Sequence, residues 1–233
     1  MFRYVNRTDL IVIGACGLSL TVFSVNTRLD SVIPLYFNSF IVLAVFIYWA
    51  IRKDATGILK RSLIIGGIGG FFYTFVDRLF VNVWIIVKYL RKDIKVFETP
   101  VSIVLVWIYC ITIAIYLYLR LRSVFSRFYI PAVLTGASAF LSGVVLDHLA
   151  GRARLWVWLW NIELMPSPSP SFGSVPLFVP VALFVTFFLS PYIVGGQRVS
   201  ARIRLSDNPI AAGLRCAIIL AMTMYLSFRI FTG

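Results

Sequence analysis

Acids are scarce among the residues here that can do chemistry, nine Asp and Glu against 22 Lys and Arg in 233 residues. Two of them sit where a bilayer does not readily accept charge. Asp77, followed by Arg78, interrupts one apolar run, and Asp147, followed by the single histidine His148, closes another. A charged side chain in a span costs roughly 2.5–3.5 kcal/mol on insertion scales and is a functional candidate for that reason. Helical rise puts Asp77 and Arg78 about 24 Å beyond Arg61 and about 16 Å before Lys88, and Asp147 and His148 about 30 Å beyond Arg127. All four lie toward the face opposite the N-terminus, and Glu163 follows on that face in a connection. Asp77, Asp147, Glu163 and His148 are therefore the candidate catalytic residues, carboxyl groups and an imidazole at one depth that can exchange protons. Each also has a plainer role. Asp77 and Arg78 diverge by about 100° on a helix and can pair with other helices. Asp147 can simply end a helix in water, and a lone histidine completes neither a metal site nor bis-His haem ligation.

Other chemistries find no footing. Ser138 and His148 are ten residues apart on one predicted helix, about 15 Å in rise, and a nucleophile and its base must touch. Cys16, Cys110 and Cys216 lie in apolar runs without paired spacing and read as packing residues. Neither a phosphate loop nor an HExxH metal motif occurs. The last apolar run has no lysine for a retinal Schiff base of the usual rhodopsin arrangement. No metal and no cofactor is called for.

The elements that must hold these residues are membrane spans. The chain is 60% hydrophobic and 13% charged, with a mean hydropathy of +0.92, against about 45–50% and about 25% in soluble domains. This argues against a soluble enzyme, a disordered tail or a nucleic-acid module. The net charge of +13 comes from basic residues spread between apolar runs, as expected of positive-inside loops and contacts with lipid headgroups. Seven runs are long enough to cross a bilayer: Asp9–Val25, Ser31–Ile51, Ser62–Val83, Pro100–Leu119, Phe128–Leu146, Ser174–Val194 and Pro209–Ile230. The expected fold is all-α, one polytopic bundle of about seven transmembrane helices over residues 1–233. The first run reads as a span rather than a cleaved signal. Twelve Lys and Arg fall on the N-terminal side and eight on the other, which favours a cytoplasmic N-terminus in the cell membrane.

Two stretches depart from this plan. Apolar character continues from Ser62 to Leu90, over 40 Å as a helix, so this element either tilts out toward Lys95 or breaks at Gly66-Gly67-Ile68-Gly69-Gly70. The GxxxG spacing of Gly66 and Gly70 favours close helix packing over a break. Leu155-Trp156-Val157-Trp158-Leu159-Trp160 is too short to span and reads as an interfacial belt, followed by an extended Pro-Ser connection. Asn38 and Asn82 are placed to hydrogen-bond across helices. Arg215 is placed to snorkel or to bind a lipid phosphate.

Leu146-Asp147-His148-Leu149-Ala150, then Leu155-Trp156-Val157-Trp158, then Phe172-Gly173-Ser174-Val175-Pro176-Leu177 form an ordered set. It resembles carotenoid hydratase-like and lycopene cyclase-domain membrane proteins of carotenoid biosynthesis, in which an aspartate ends a span, a W-x-W-like element follows and a G-x-P-type turn opens the next span. The resemblance covers Leu146 to Phe184. The cyclase pattern has paired glutamates after the proline, where this chain has Phe178 and Val179. The hydratase-like pattern has a proline where His148 stands. Asp147, Trp156, Trp158, Gly173 and Pro176 carry over. The resemblance implies an integral membrane enzyme that adds to a terminal double bond of a long isoprenoid or carotenoid, giving hydration or cyclisation. A carboxylic acid, Asp147 or Asp77, would protonate the alkene. Trp156, Trp158, Tyr73, Phe72 and Phe71 would stabilise the cation, with Gly173 and Pro176 at the substrate-binding turn. The expected partners are membrane lipids and this substrate, with no nucleic acid. The alternative is a non-catalytic scaffold, assembly partner or small permease, in which Asp77 and Asp147 are paired structurally and no lipid-sized cavity exists.

Overall fold

A computed structural model describes residues 5–29, 31–127, 129–159, 170–195 and 205–232. Among them the helices are α1 (Arg7–Asn26), α2 (Ile33–Arg52), α3 (Ile58–Arg78), α4 (Val101–Val124), α5 (Tyr129–Arg152), α6 (Phe178–Phe188), α7 (Ser190–Val194) and α8 (Pro209–Thr232). Short strands join them: β1 (Val87–Tyr89), β2 (Lys95–Val96), β3 (Thr99–Pro100), β4 (Trp156–Trp158), β5 (Ser171–Phe172) and β6 (Val175–Pro176). The fold is an all-α polytopic bundle, and its long apolar helices mark an integral membrane protein.

Six helices among the described residues are long and apolar enough to cross a membrane, one fewer than the seven runs predict. The run Ser174–Val194 is the exception. It opens at the turn into β6 of the β5–β6 hairpin, and the eleven residues of α6 rise only about 16 Å. A turn at Leu189 then leads into α7, with Pro191 in its first turn, where a missing N–H costs nothing. The carbonyls at the C-terminal end of α7 are taken up by two arginines. Arg61 donates to Val194 O at 3.0 Å, and Arg215 donates to Ile193 O at 2.9 Å and Ser206 O at 2.6 Å. Arg215 thus braces a broken helix rather than snorkelling.

The long third element also resolves differently. Helix α3 runs unbroken through the glycines and continues into a π-helical turn, Leu79–Val83. The chain then reverses into β1, so neither a break at Gly66–Gly70 nor a helical extension toward Lys95 forms. Gly66, Gly69 and Gly70 lie on the buried face of α3, which packs between α4 and α8.

Two apolar cores result. One joins α3, α6 and α8 with part of α4; the other joins α1, α2 and the rest of α4. Tyr89, Trp107 and Trp156 pack against both, so the seam between the cores is aromatic. Helix α1 is tied to α4 at the N-terminal face by Asp9, which closes a capping box with Asn6 and accepts from Arg120 Nε at 2.9 Å and Tyr116 Oη at 2.6 Å. Asp9→Ala removes the half of the capping box in which Asn6 N donates to the carboxylate, and it leaves the Arg120 and Tyr116 donors unmatched. It should lower stability by roughly 2–3 kcal/mol, read as a lower unfolding midpoint in detergent.

Candidate functional site

The strand pair β1–β4 closes the bundle on the face opposite the N-terminus. Its antiparallel register sets Val87 opposite Trp158, Lys88 opposite Val157 and Tyr89 opposite Trp156. Residues paired across an antiparallel ladder share a face, and neighbours along a strand alternate. Val87, Tyr89, Trp156 and Trp158 therefore point one way, into the bundle, and Lys88 points out and is exposed. Of the predicted interfacial belt, Trp156 and Trp158 stand in a strand of this lid with their side chains turned inward, and Trp160 lies outside the described residues.

Beneath the lid is a cavity of about 230 Å³. Its walls are α4 from Ile103 to Leu117 and α5 from Thr135 to Asp147, about 21 Å and about 18 Å of helix. α1, α3, α6 and α8 complete it. The lining therefore runs lengthwise along α4 and α5, and the cavity is a slot between helices. The lining is apolar and aromatic, with Tyr73 and Trp107 packed at a centroid distance of 4.0 Å. Behind Trp158 stand Phe178 at 5.5 Å and Phe80 at 6.4 Å. Partway along, Asn38 Nδ2 donates to Ser19 Oγ at 3.1 Å and Tyr109 Oη at 3.3 Å, the interhelical role expected of Asn38. Asn82 is exposed.

Both aspartates line this slot, and the two lid strands hold one each. Asp77 is 3% exposed. Its Oδ2 accepts from Tyr89 Oη at 2.6 Å and from Thr99 Oγ1 at 2.7 Å. Burial first, and then the Asp77 and Asp147 carboxyls, push the Tyr89 hydroxyl well above the usual phenol range, so it remains a donor. Asp147 is held differently. Its Oδ1 accepts from Trp156 Nε1 at 3.1 Å. Its Oδ2 is buried with no hydrogen-bond partner among the described residues, and so is Trp158 Nε1. The Trp158 N–H lies beside Asp147 without completing a hydrogen bond to it. Among the described residues neither aspartate is in an ion pair with lysine or arginine. Among the described residues, then, the Asp77 carboxylate is met by two hydroxyl donors and the Asp147 carboxylate by one indole N–H.

The other predicted site residues lie elsewhere. His148 is exposed and outside the cavity, beside the β5–β6 turn, where a Cβ on Gly173 would lie 3.8 Å from its Nδ1. Gly173 has φ +60 in that exposed turn, and Pro176 is buried in β6. Neither lines the slot. Phe72 is 40% exposed and packs on Phe71 and Phe75. Glu163 lies outside the described residues. Tyr89 and Thr99, which hold Asp77, were not foreseen. No group of three or more His, Cys, Asp or Glu among the described residues is placed to hold a metal ion.

Tyr89→Phe leaves Asp77 with one of its two donors in a buried setting. It should cost about 1–3 kcal/mol, and Trp156→Phe should cost Asp147 a comparable amount. Unfolding of both variants in detergent micelles measures this.

Compared with known proteins, the chain matches no family model, no curated protein and no solved structure. The resemblance of Leu146 to Phe184 rests on its own residues.

Proposed function

We propose that this chain is a membrane enzyme that adds to a terminal double bond of a long isoprenoid or carotenoid, with Asp147 as general acid. The observation that carries this reading is the Oδ2 of Asp147, buried without a hydrogen-bond partner among the described residues, on the wall of an apolar, aromatic slot that also holds Asp77. A polyene end group offers no polar handle, so a proton is the reagent that activates it.

Asp147 gives its proton to the less substituted alkene carbon. A C–H bond forms, the π bond breaks and a tertiary cation remains. The Trp158 N–H is at hand to bond the carboxylate so formed. Trp156, Trp158, Tyr73 and Trp107 line the cavity and would stabilise a cation through their rings, and Asp77 sits in the same cavity as an acceptor positioned by Tyr89 and Thr99. Water then adds to the cation and returns a proton to Asp147, for a net gain of one water. Alternatively a second alkene of the chain closes a ring and an adjacent C–H returns the proton, with no change in mass. Either way the acid is restored.

Expression in lycopene-producing cells, with pigments resolved by chromatography and mass spectrometry, tests this. The expected result is a product heavier by one water, or an isomer of equal mass and shifted retention. An unchanged pigment profile beside correctly folded protein would overturn it in favour of a non-catalytic scaffold.

A further inference from the structure

Among the described lining residues of the slot, three are exposed: Leu20 on α1, and Ser138 and Ser142 on α5. The rest are buried or half-buried. Helices α1 and α5 are neighbours, so these three residues mark where the cavity meets its surroundings. Ser138 and Ser142 stand one turn apart on one face of α5. Ser138 Oγ donates back to Leu134 O at 2.9 Å, which turns its polarity into its own helix. Gly17 is exposed on α1, with open space where a Cβ would be.

The depth of this opening is the informative quantity. By helical rise Ser142 lies about 15 Å from Arg152 and about 20 Å from Tyr129, and Leu20 about 9 Å from Asn26 and about 20 Å from Arg7. A hydrocarbon core is about 30 Å thick, so the opening faces lipid tails rather than water. The lid formed by β1 and β4 covers the end of the slot that carries the aspartates.

We propose that the seam between α1 and α5 is a lateral entrance, through which an apolar chain dissolved in the bilayer passes directly into the slot. The inference rests on the proposed function only in taking the slot as the ligand site; the entry route stands on exposure and depth. The consequence is a ligand class: a lipid-phase molecule with a linear apolar end, supplied from the membrane interior.

The test is photolabelling of the full chain in phosphatidylcholine vesicles with a diazirine-bearing palmitic acid. The labelled residues are mapped by mass spectrometry. Trp107 and Cys110 line the slot and are half-buried, and they should be labelled in the unaltered protein. Ser138→Trp, Ser142→Trp and the milder Ser142→Leu narrow the entrance and should lose that labelling. Leu141→Trp, at a position on the same helix that is 63% exposed and not part of the lining, should keep it. Labelling of Trp107 and Cys110 that survives all three entrance variants overturns the proposal, as does labelling by a charged, water-soluble diazirine but not by the lipid. The readout needs no turnover. Labelling without pigment conversion would sink the enzyme reading and leave the entrance standing, and conversion by the Ser142→Trp variant would sink the entrance alone.

Discussion

Asp147→Asn should stop product formation while the protein remains folded. The amide oxygen of asparagine still accepts from Trp156 Nε1, the hydrogen bond made by Oδ1. The amide nitrogen takes the place of Oδ2, which has no described partner to lose. Stability should therefore move by less than about 1 kcal/mol. What disappears is the transferable proton. A general acid typically contributes about 10²–10⁴-fold in rate, and the loss should fall on turnover rather than on apparent substrate affinity, as when an interaction made only in the transition state is removed. Asp147→Glu keeps the acid but moves it by one methylene, and should retain partial activity. Asp77→Asn should behave otherwise. It replaces an acceptor bonded by two hydroxyls, and the cost should appear in the unfolding midpoint as well as in the product. The distinguishing result is the pair of measurements. Full activity in Asp147→Asn rules out the acid, and a variant that fails to fold makes Asp147 a structural residue.

The depth shared by Asp77 and Asp147 was legible before any coordinates, because span order and 1.5 Å per residue suffice to place them. That they line one cavity was not. The contact depends on β1 pairing with β4 across two intervening helices, and three-residue strands carry too little alternation to stand out from the apolar runs around them. Tyr89 and Thr99 were missed for the same reason. Both reach Asp77 only after the chain leaves α3 through a π-helical turn and doubles back. The displacement of His148 and Phe72 follows from local geometry. Adjacent helix positions diverge by about 100°, so with Asp147 and Tyr73 turned into the slot, the residues beside them face elsewhere. The missing seventh long span has a local cause too, the turn at Leu189 ahead of Pro191.

Gly70→Ala should be among the most damaging single-methyl additions in this protein. Alanine normally stabilises a helix over glycine by about 0.8–1.0 kcal/mol. At Gly70 the added Cβ would lie 2.7 Å from Ile108 N and 2.8 Å from Ile108 Cα, backbone atoms of α4 that cannot step aside without separating the two helices. At Gly66 it would lie 2.1 Å from Thr112 Oγ1 and 2.7 Å from Ile108 O, inside the hydrogen bond those atoms share. Overpacking of this kind costs about 1–3 kcal/mol and occasionally more, and contact with the α4 backbone at both positions places Gly66 and Gly70 at the upper end. The same helix supplies its own controls. Gly67 has nothing within 4 Å of a new Cβ, and Gly69 meets Cys216 at 3.4 Å and Gly213 O at 3.6 Å, both ordinary contact distances. Gly67→Ala should therefore raise the unfolding midpoint slightly, and Gly69→Ala should leave it almost unchanged. A flexible break at this segment would give the opposite order, with Gly67→Ala harmful. Damage at Gly70 should also reach the chemistry. Tyr73 and Asp77 follow it on the same buried face of α3, so any shift of α3 against α4 moves both walls of the slot that holds the two aspartates.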